Sequence, residues 1–187
     1  MKKVLFVAAM MLSSVATFAQ HAVGSFNLQP KVGVSIANLT EIKGSDPRVG
    51  VVAGVEGEYQ ASDIFSVSAG VLYSMQGAKL TDDVTNRLDY INVPIMANVY
   101  VVKGLAVKLG VQTGFNVSNK IKVNNLDAVE NPAKAQSVDV SIPVGLSYEY
   151  NNFQLDARYN WGVSKAFKLS DAKNSVFQIT LGYKFDL

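Results

Sequence analysis

The feature that most constrains this chain is a two-residue hydrophobic rhythm. It recurs eight times after residue 25 and is never replaced by an apolar run long enough for a membrane helix. In the first segment Phe26, Leu28, Val32, Val34 and Ile36 face one way, and Gln29, Lys31, Gly33, Ser35 and Ala37 the other. The second sets Val49, Val51, Ala53, Val55 and Tyr59 against Gly50, Gly54, Glu56, Glu58 and Gln60. The rhythm returns around Phe65–Met75, Ile91–Val99, Leu105–Val117, Val138–Tyr150, Phe153–Trp161 and Phe177–Phe185. Side chains alternate across a strand, so each segment reads as a strand with one apolar face. Segments of this length suit tilted strands that cross a bilayer with about 9–11 residues each.

The links between segments alternate in length. Ala61-Ser62-Asp63, Val102-Lys103-Gly104 and Asn151-Asn152 are tight, whereas 39–48, 77–88, 119–136 and 163–174 are long and polar. Short turns on one side and long loops on the other are the asymmetry of outer-membrane barrels. A two-residue Asn151-Asn152 turn sets Tyr150 opposite Phe153, and a three-residue turn with Gly104 left-handed sets Val101 opposite Leu105. The expected fold is all-β: an eight-stranded antiparallel up-and-down transmembrane barrel.

The first residues read as a secretory signal. Lys2 and Lys3 precede the apolar run Val4–Met11, and Thr17 and Ala19 prepare a cut before Gln20. Residues 1–19 are therefore assigned to the signal and 20–187 to the barrel. Removing the signal takes away two lysines and no acid, leaving 15 residues of each sign, so nothing in the charge suggests nucleic acid. There are no cysteines, and the one histidine, His21, falls in the stretch before the first strand, where it reads as a disordered terminal residue. No catalytic assembly, cofactor or metal site is expected from such a set.

The apolar face has two possible neighbours. A soluble, lipocalin-like barrel turns it inward. Here the polar face is rich in Gly and Ser, which suits a lumen barely wide enough for side chains. Aromatics also fall near strand ends on the apolar face (Phe26, Tyr59, Phe65, Tyr73, Tyr150, Phe153, Trp161, Tyr183 and Phe185), as in a membrane girdle. The polar face then points inward with nine charges: Lys31, Glu56, Glu58, Lys108, Asp139, Glu149, Asp156, Arg158 and Lys184. Such charges must pair with one another, and the first hairpin is expected to put Lys31 opposite Glu56. Pro94, in mid-strand, is expected to mark a bulge.

The chain ends in "TLGYKFDL", and Thr180, Gly182, Phe185 and Leu187 resemble the C-terminal signal read by the barrel assembly machinery. The segments "YINVPIMANVYV", "VKLGVQTGF", "LDARYNWGVS" and "FQITLGYKF" resemble, in order and spacing, the small outer-membrane β-barrel domains grouped as porin-family or PorT-like proteins. That resemblance implies a barrel in the outer membrane of a Gram-negative bacterium and no shared activity. The expected partners are outer-membrane lipid, lipopolysaccharide and the assembly machinery, with the barrel a monomer. A side-chain-filled lumen and polar loops suggest a non-enzymatic structural or adhesive role. The alternative is a small channel or an accessory component of an envelope transport complex.

Overall fold

The computed structural model describes residues 21–40, 45–81, 83–123, 129–130, 135–167 and 171–187. The predicted signal 1–19 lies outside them. Among the described residues every regular element is a strand: β1 (Phe26–Leu39), β2 (Asp46–Ser62), β3 (Phe65–Thr81), β4 (Val84–Val102), β5 (Leu105–Val123), β6 (Val129–Glu130), β7 (Val138–Tyr150), β8 (Phe153–Gly162), β9 (Asn174–Tyr183) and β10 (Phe185–Asp186). Sequential neighbours pair antiparallel, with the short β6 a side branch on β5. β10 continues β9 past Lys184, and both pair with β1. That seam closes eight staves into a barrel and leaves no edge in lipid.

The alternation places each face as its period dictates. Val111 (57% exposed) and Trp161 (63%) point out, while Gln112 and Asn160 beside them are buried in the lumen. At the turn end of the barrel Phe153 meets Tyr183 edge-on at 5.1 Å, and Tyr183 meets Phe185 at 4.7 Å. These rings form part of the aromatic border expected at a membrane interface.

The turns differ in detail from the sequence reading. Tyr150 does face Phe153, with Asn151 at a φ of 54°. At the β4–β5 turn, however, Val102 rather than Val101 faces Leu105; an irregularity between Tyr100 and Val102 absorbs the extra residue, and Gly104 takes a φ of 80°. The β2–β3 turn is Asp63-Ile64, because Ser62 already pairs with Phe65.

Pro94 makes no bulge. It pairs in register with Gln112, and the β3–β4 register is the same on both sides of it. The ladder to β3 skips the positions between Ile95 and Asn92, where Pro94 has no N–H to give. The missing donor thus interrupts the ladder without shifting it.

Two of the long loops shrink. β3 and β4 pair as far as Thr81↔Val84, so most of 77–88 is hairpin. β5 runs to Val123 and takes β6 as a partner. β3, β4 and β5 therefore rise above their neighbours at the loop end. Their inward side chains there include several apolar ones beside the buried Asn86. Leu88, Tyr90 and Ala78 pack with Leu39, Ala166, Phe167 and Ala172 into a small core across the loop-end mouth. Apolar burial against that cap, rather than contact with lipid, holds these extensions in strand form.

Candidate functional site

Inside the barrel the side chains of Lys31, Glu56, Lys108, Asp156 and Arg158 converge from four strands, each almost fully buried. Arg158 is the hub. Its Nε and Nη2 donate to the two oxygens of Asp156 at 2.9 and 2.8 Å, and its Nη1 donates to Glu56 at 2.8 Å. Lys31 Nζ lies 2.6 Å from Glu56 and 3.4 Å from Asp156. Lys108 Nζ lies 2.7 Å from Asp156 and 4.0 Å from Glu56. Both carboxylates thus meet all three cations.

Glycines make room for this cluster. A methyl group on Gly145, directly opposite Arg158, would lie 2.9 Å from the arginine Cβ. One on Gly182, opposite Lys31, would lie 2.9 Å from the lysine Cγ. Lys31 faces Gly54 rather than Glu56, which sits opposite Gln29. The long lysine side chain reaches its partner diagonally, two residues along the neighbouring strand.

Nearer the turn end lies a second group. Lys184 Nζ is 3.0 Å from Glu58 and 2.6 Å from Glu149. The Tyr100 hydroxyl donates to Glu58 at 2.6 Å, and Ser66 also donates to it. The first cluster has one cation more than its acids, and Glu58 and Glu149 outnumber Lys184 by one. The two groups neutralise each other within the lumen, which is the arrangement a dry, narrow interior requires.

His21 is not a free terminal residue. It is 9% exposed, with Nε2 2.8 Å from Glu149 and Nδ1 3.0 Å from Asp186. Both ring nitrogens face carboxylates, and both can donate only when the ring is protonated. The Glu149 hydrogen bond accordingly raises the His21 pKa above 6.5, against the opposing effect of burial. The chain after it is tied down by Gly24 N–H donating to Gln60 O and Gln60 N–H donating to Ser25 O. His21, Lys103, Glu149, Asn151, Asn152 and Asp186 line an open pocket of about 390 Å³ at this mouth.

A raised folded-state pKa means that the folded chain holds the proton more tightly than the unfolded one. The stabilisation is complete below 6.5 and fades as pH climbs through the higher folded value. His21→Ala should therefore lower the unfolding midpoint most in acid, and the gap to wild type should narrow as pH rises above 6.5. Urea titrations of both proteins across pH check this; a gap that is constant or widens with pH is the contrary result.

Asp139 stands apart from both groups. It lies at the loop end and accepts from the Ser164 hydroxyl at 2.7 Å. Of the C-terminal residues, Thr180 and Gly182 face inward, and Phe185 and Leu187 point outward. Tyr100 and Ser66 share the buried face by strand parity, whereas Asp186 is exposed at the mouth. His21 precedes the first strand, so no periodicity marks it. Among the described residues no group of three or more His, Cys, Asp or Glu is arranged to hold a metal ion.

A closed eight-stranded barrel, apolar outside and charge-filled inside, defines the class of small outer-membrane β-barrels. The chain belongs to the outer membrane protein beta-barrel domain family, whose model matches residues 18–168. Among solved structures it is similar to Ail, the attachment invasion locus protein of Yersinia pestis. That match has 17% identity and a TM-score of 0.55, covering 88% of this chain and 100% of that one. It is also similar to Neisserial surface protein A, at 15% identity and a TM-score of 0.57, covering 86% of this chain and 97% of that one. At such identities the likeness concerns the fold. No curated protein sequence matches the chain.

Proposed function

We propose that the protein is a non-conducting, non-enzymatic scaffold in the outer membrane of a Gram-negative bacterium, presenting a partner-binding surface at its loop end. The observation that carries this reading is the buried cluster of Lys31, Glu56, Lys108, Asp156 and Arg158, which fills the lumen with paired side chains. The mouths support it further. The apolar cap around Phe167 lies over one, with Ala135 bridged to Phe167, and His21 stands at the other. An eight-stranded barrel has an interior just wide enough for side chains, so a filled lumen leaves little for solute flow. The raised β3–β5 hairpins and the cap are held by strand pairing and apolar packing, and they suit contact with a partner. In this reading the barrel is monomeric, and Thr180, Gly182, Phe185 and Leu187 guide the assembly machinery during insertion.

A second reading, a small gated channel, draws on the inward amides nearer the cap. The side-chain oxygens of Gln112 and Gln178 are buried without a partner among the described residues. Recording in planar bilayers separates the two. The scaffold reading expects no stable conductance steps. Steps that grow on Phe167→Ala and change ion preference on Arg158→Ala would establish the channel instead.

A further inference from the structure

The outward face of β3–β5 changes character above the lipid-facing band. In β4, Ile91 is the last outward aliphatic side chain. Leu88 and Tyr90 are fully buried in the cap, so Asp89, Arg87 and Thr85 continue the outward face. In β5, Phe115 faces Ile91, and past an irregularity Ser118, Lys120 and Lys122 face Asp89, Arg87 and Thr85. On the other side Lys79 of β3 faces Thr85. Lys79, Arg87, Lys120 and Lys122 therefore share one face of three adjacent strands, which lie about 4.8 Å apart.

This arrangement is unfavourable by itself. Arg87 and Lys120 stand directly opposite each other, where like charges destabilise a sheet. Among the described residues none of the four cations forms an ion pair, and Arg87 Nε is buried without a partner. Nearby acids among the described residues do not answer the charge. Asp89 already receives the Tyr73 hydroxyl at 3.0 Å and lies 3.4 Å from Arg48 Nη1. Asp46 and Glu130 stand opposite Lys79 and Lys120 at the margins, with no ion pair formed.

Height identifies the missing anion. Arg87 is four residues past Ile91, about 13 Å along the strand and about 9 Å along the membrane normal at the usual tilt. The headgroup layer begins at the edge of the hydrocarbon and is about 5–8 Å deep on each side. Arg87 and Lys120 are rooted at the outer margin of that layer, level with each other, and long cationic side chains continuous with a lipid-facing band reach back to the headgroups.

We propose that Lys79, Arg87, Lys120 and Lys122 form a binding face for the phosphates of a phosphorylated glycolipid in the loop-end leaflet. This rests on the outer-membrane reading above. The Arg87 fork matches a phosphate, and the lysines act as flexible point charges around it. The bound phosphate relieves the Arg87–Lys120 repulsion, so lipid of this type steadies the raised hairpins.

The test uses full-length protein purified in detergent and native mass spectrometry. The probes are bisphosphorylated lipid A and the same lipid with its phosphates removed. Wild type is expected to retain the bisphosphorylated lipid and to lose affinity about tenfold for the dephosphorylated one. Arg87→Gln/Lys120→Gln should lose affinity similarly, whereas Lys103→Gln, at the opposite end, should not. Equal retention of the two lipids by wild type, or of bisphosphorylated lipid by the double variant, overturns the proposal. So does full competition by inorganic phosphate, which marks a simple anion site. The wild-type comparison needs no variant to fold. Heat-dependent gel mobility of each sample reports barrel closure separately, so failure of the barrel reading is distinguishable from failure of the lipid site.

Discussion

Glu56→Gln is expected to destabilise the barrel by about 3–5 kcal/mol, the range for removing one partner from a buried ion cluster. The substitution keeps the shape but removes a charge, and it turns one of the two accepting oxygens into an N–H donor that faces Lys31 or Arg158. It leaves Asp156 alone against Lys31, Lys108 and Arg158, all within 4.0 Å of the lost carboxylate. Arg158→Met should also be costly, because the lumen then lacks the cation that offsets the excess acid at Glu58 and Glu149. The decisive comparison is Lys31→Met/Glu56→Gln. It restores the native excess of one cation and should recover much of the loss. Equilibrium unfolding from lipid vesicles gives all three values. A Glu56→Gln cost below about 1 kcal/mol, typical of an exposed pair, would mean that water reaches the cluster freely and that the lumen is open.

Val111→Arg should cost about 2–4 kcal/mol, the penalty for a cation on the lipid face near the bilayer midplane. Val111 lies at the middle of the outward run from Leu105 to Val117 and is 57% exposed in the isolated chain. In water, arginine there would be nearly neutral, so the measurement reads directly what the apolar face touches. Val123→Arg, at the raised end of β5, should change stability little. Equal and small effects at both positions would place the barrel in solution.

Much of the architecture was legible because alternation in a strand is a local property. Parity put Lys31, Glu56, Glu58, Lys108, Glu149, Asp156, Arg158 and Lys184 on one face, and that face is the buried one. Pairing across the lumen was not legible. Strand tilt and stagger decide which inward residues share a level, and these are set by closure of the whole sheet. Lys31 therefore reaches Glu56 diagonally, and Asp139, inward like the others, sits near the cap beside Ser164.

The raised hairpins show the same division. Residues 77–88 and 119–123 look like loop because their polar side chains break the apolar-out pattern. The period persists there and only its sense reverses: Ala78, Leu88 and Tyr90 turn inward beneath Phe167, and Arg87 and Lys120 turn outward. Composition reports what a strand face touches, and above the bilayer the two faces exchange environments. The sequence by itself determined the number of staves, the direction of every alternating face and the inward placement of the charges, because these follow from a two-residue period. Only the tertiary structure decided which charges meet, where the strands end and that His21 is held at the turn-end mouth, because those depend on contacts between residues far apart in the chain.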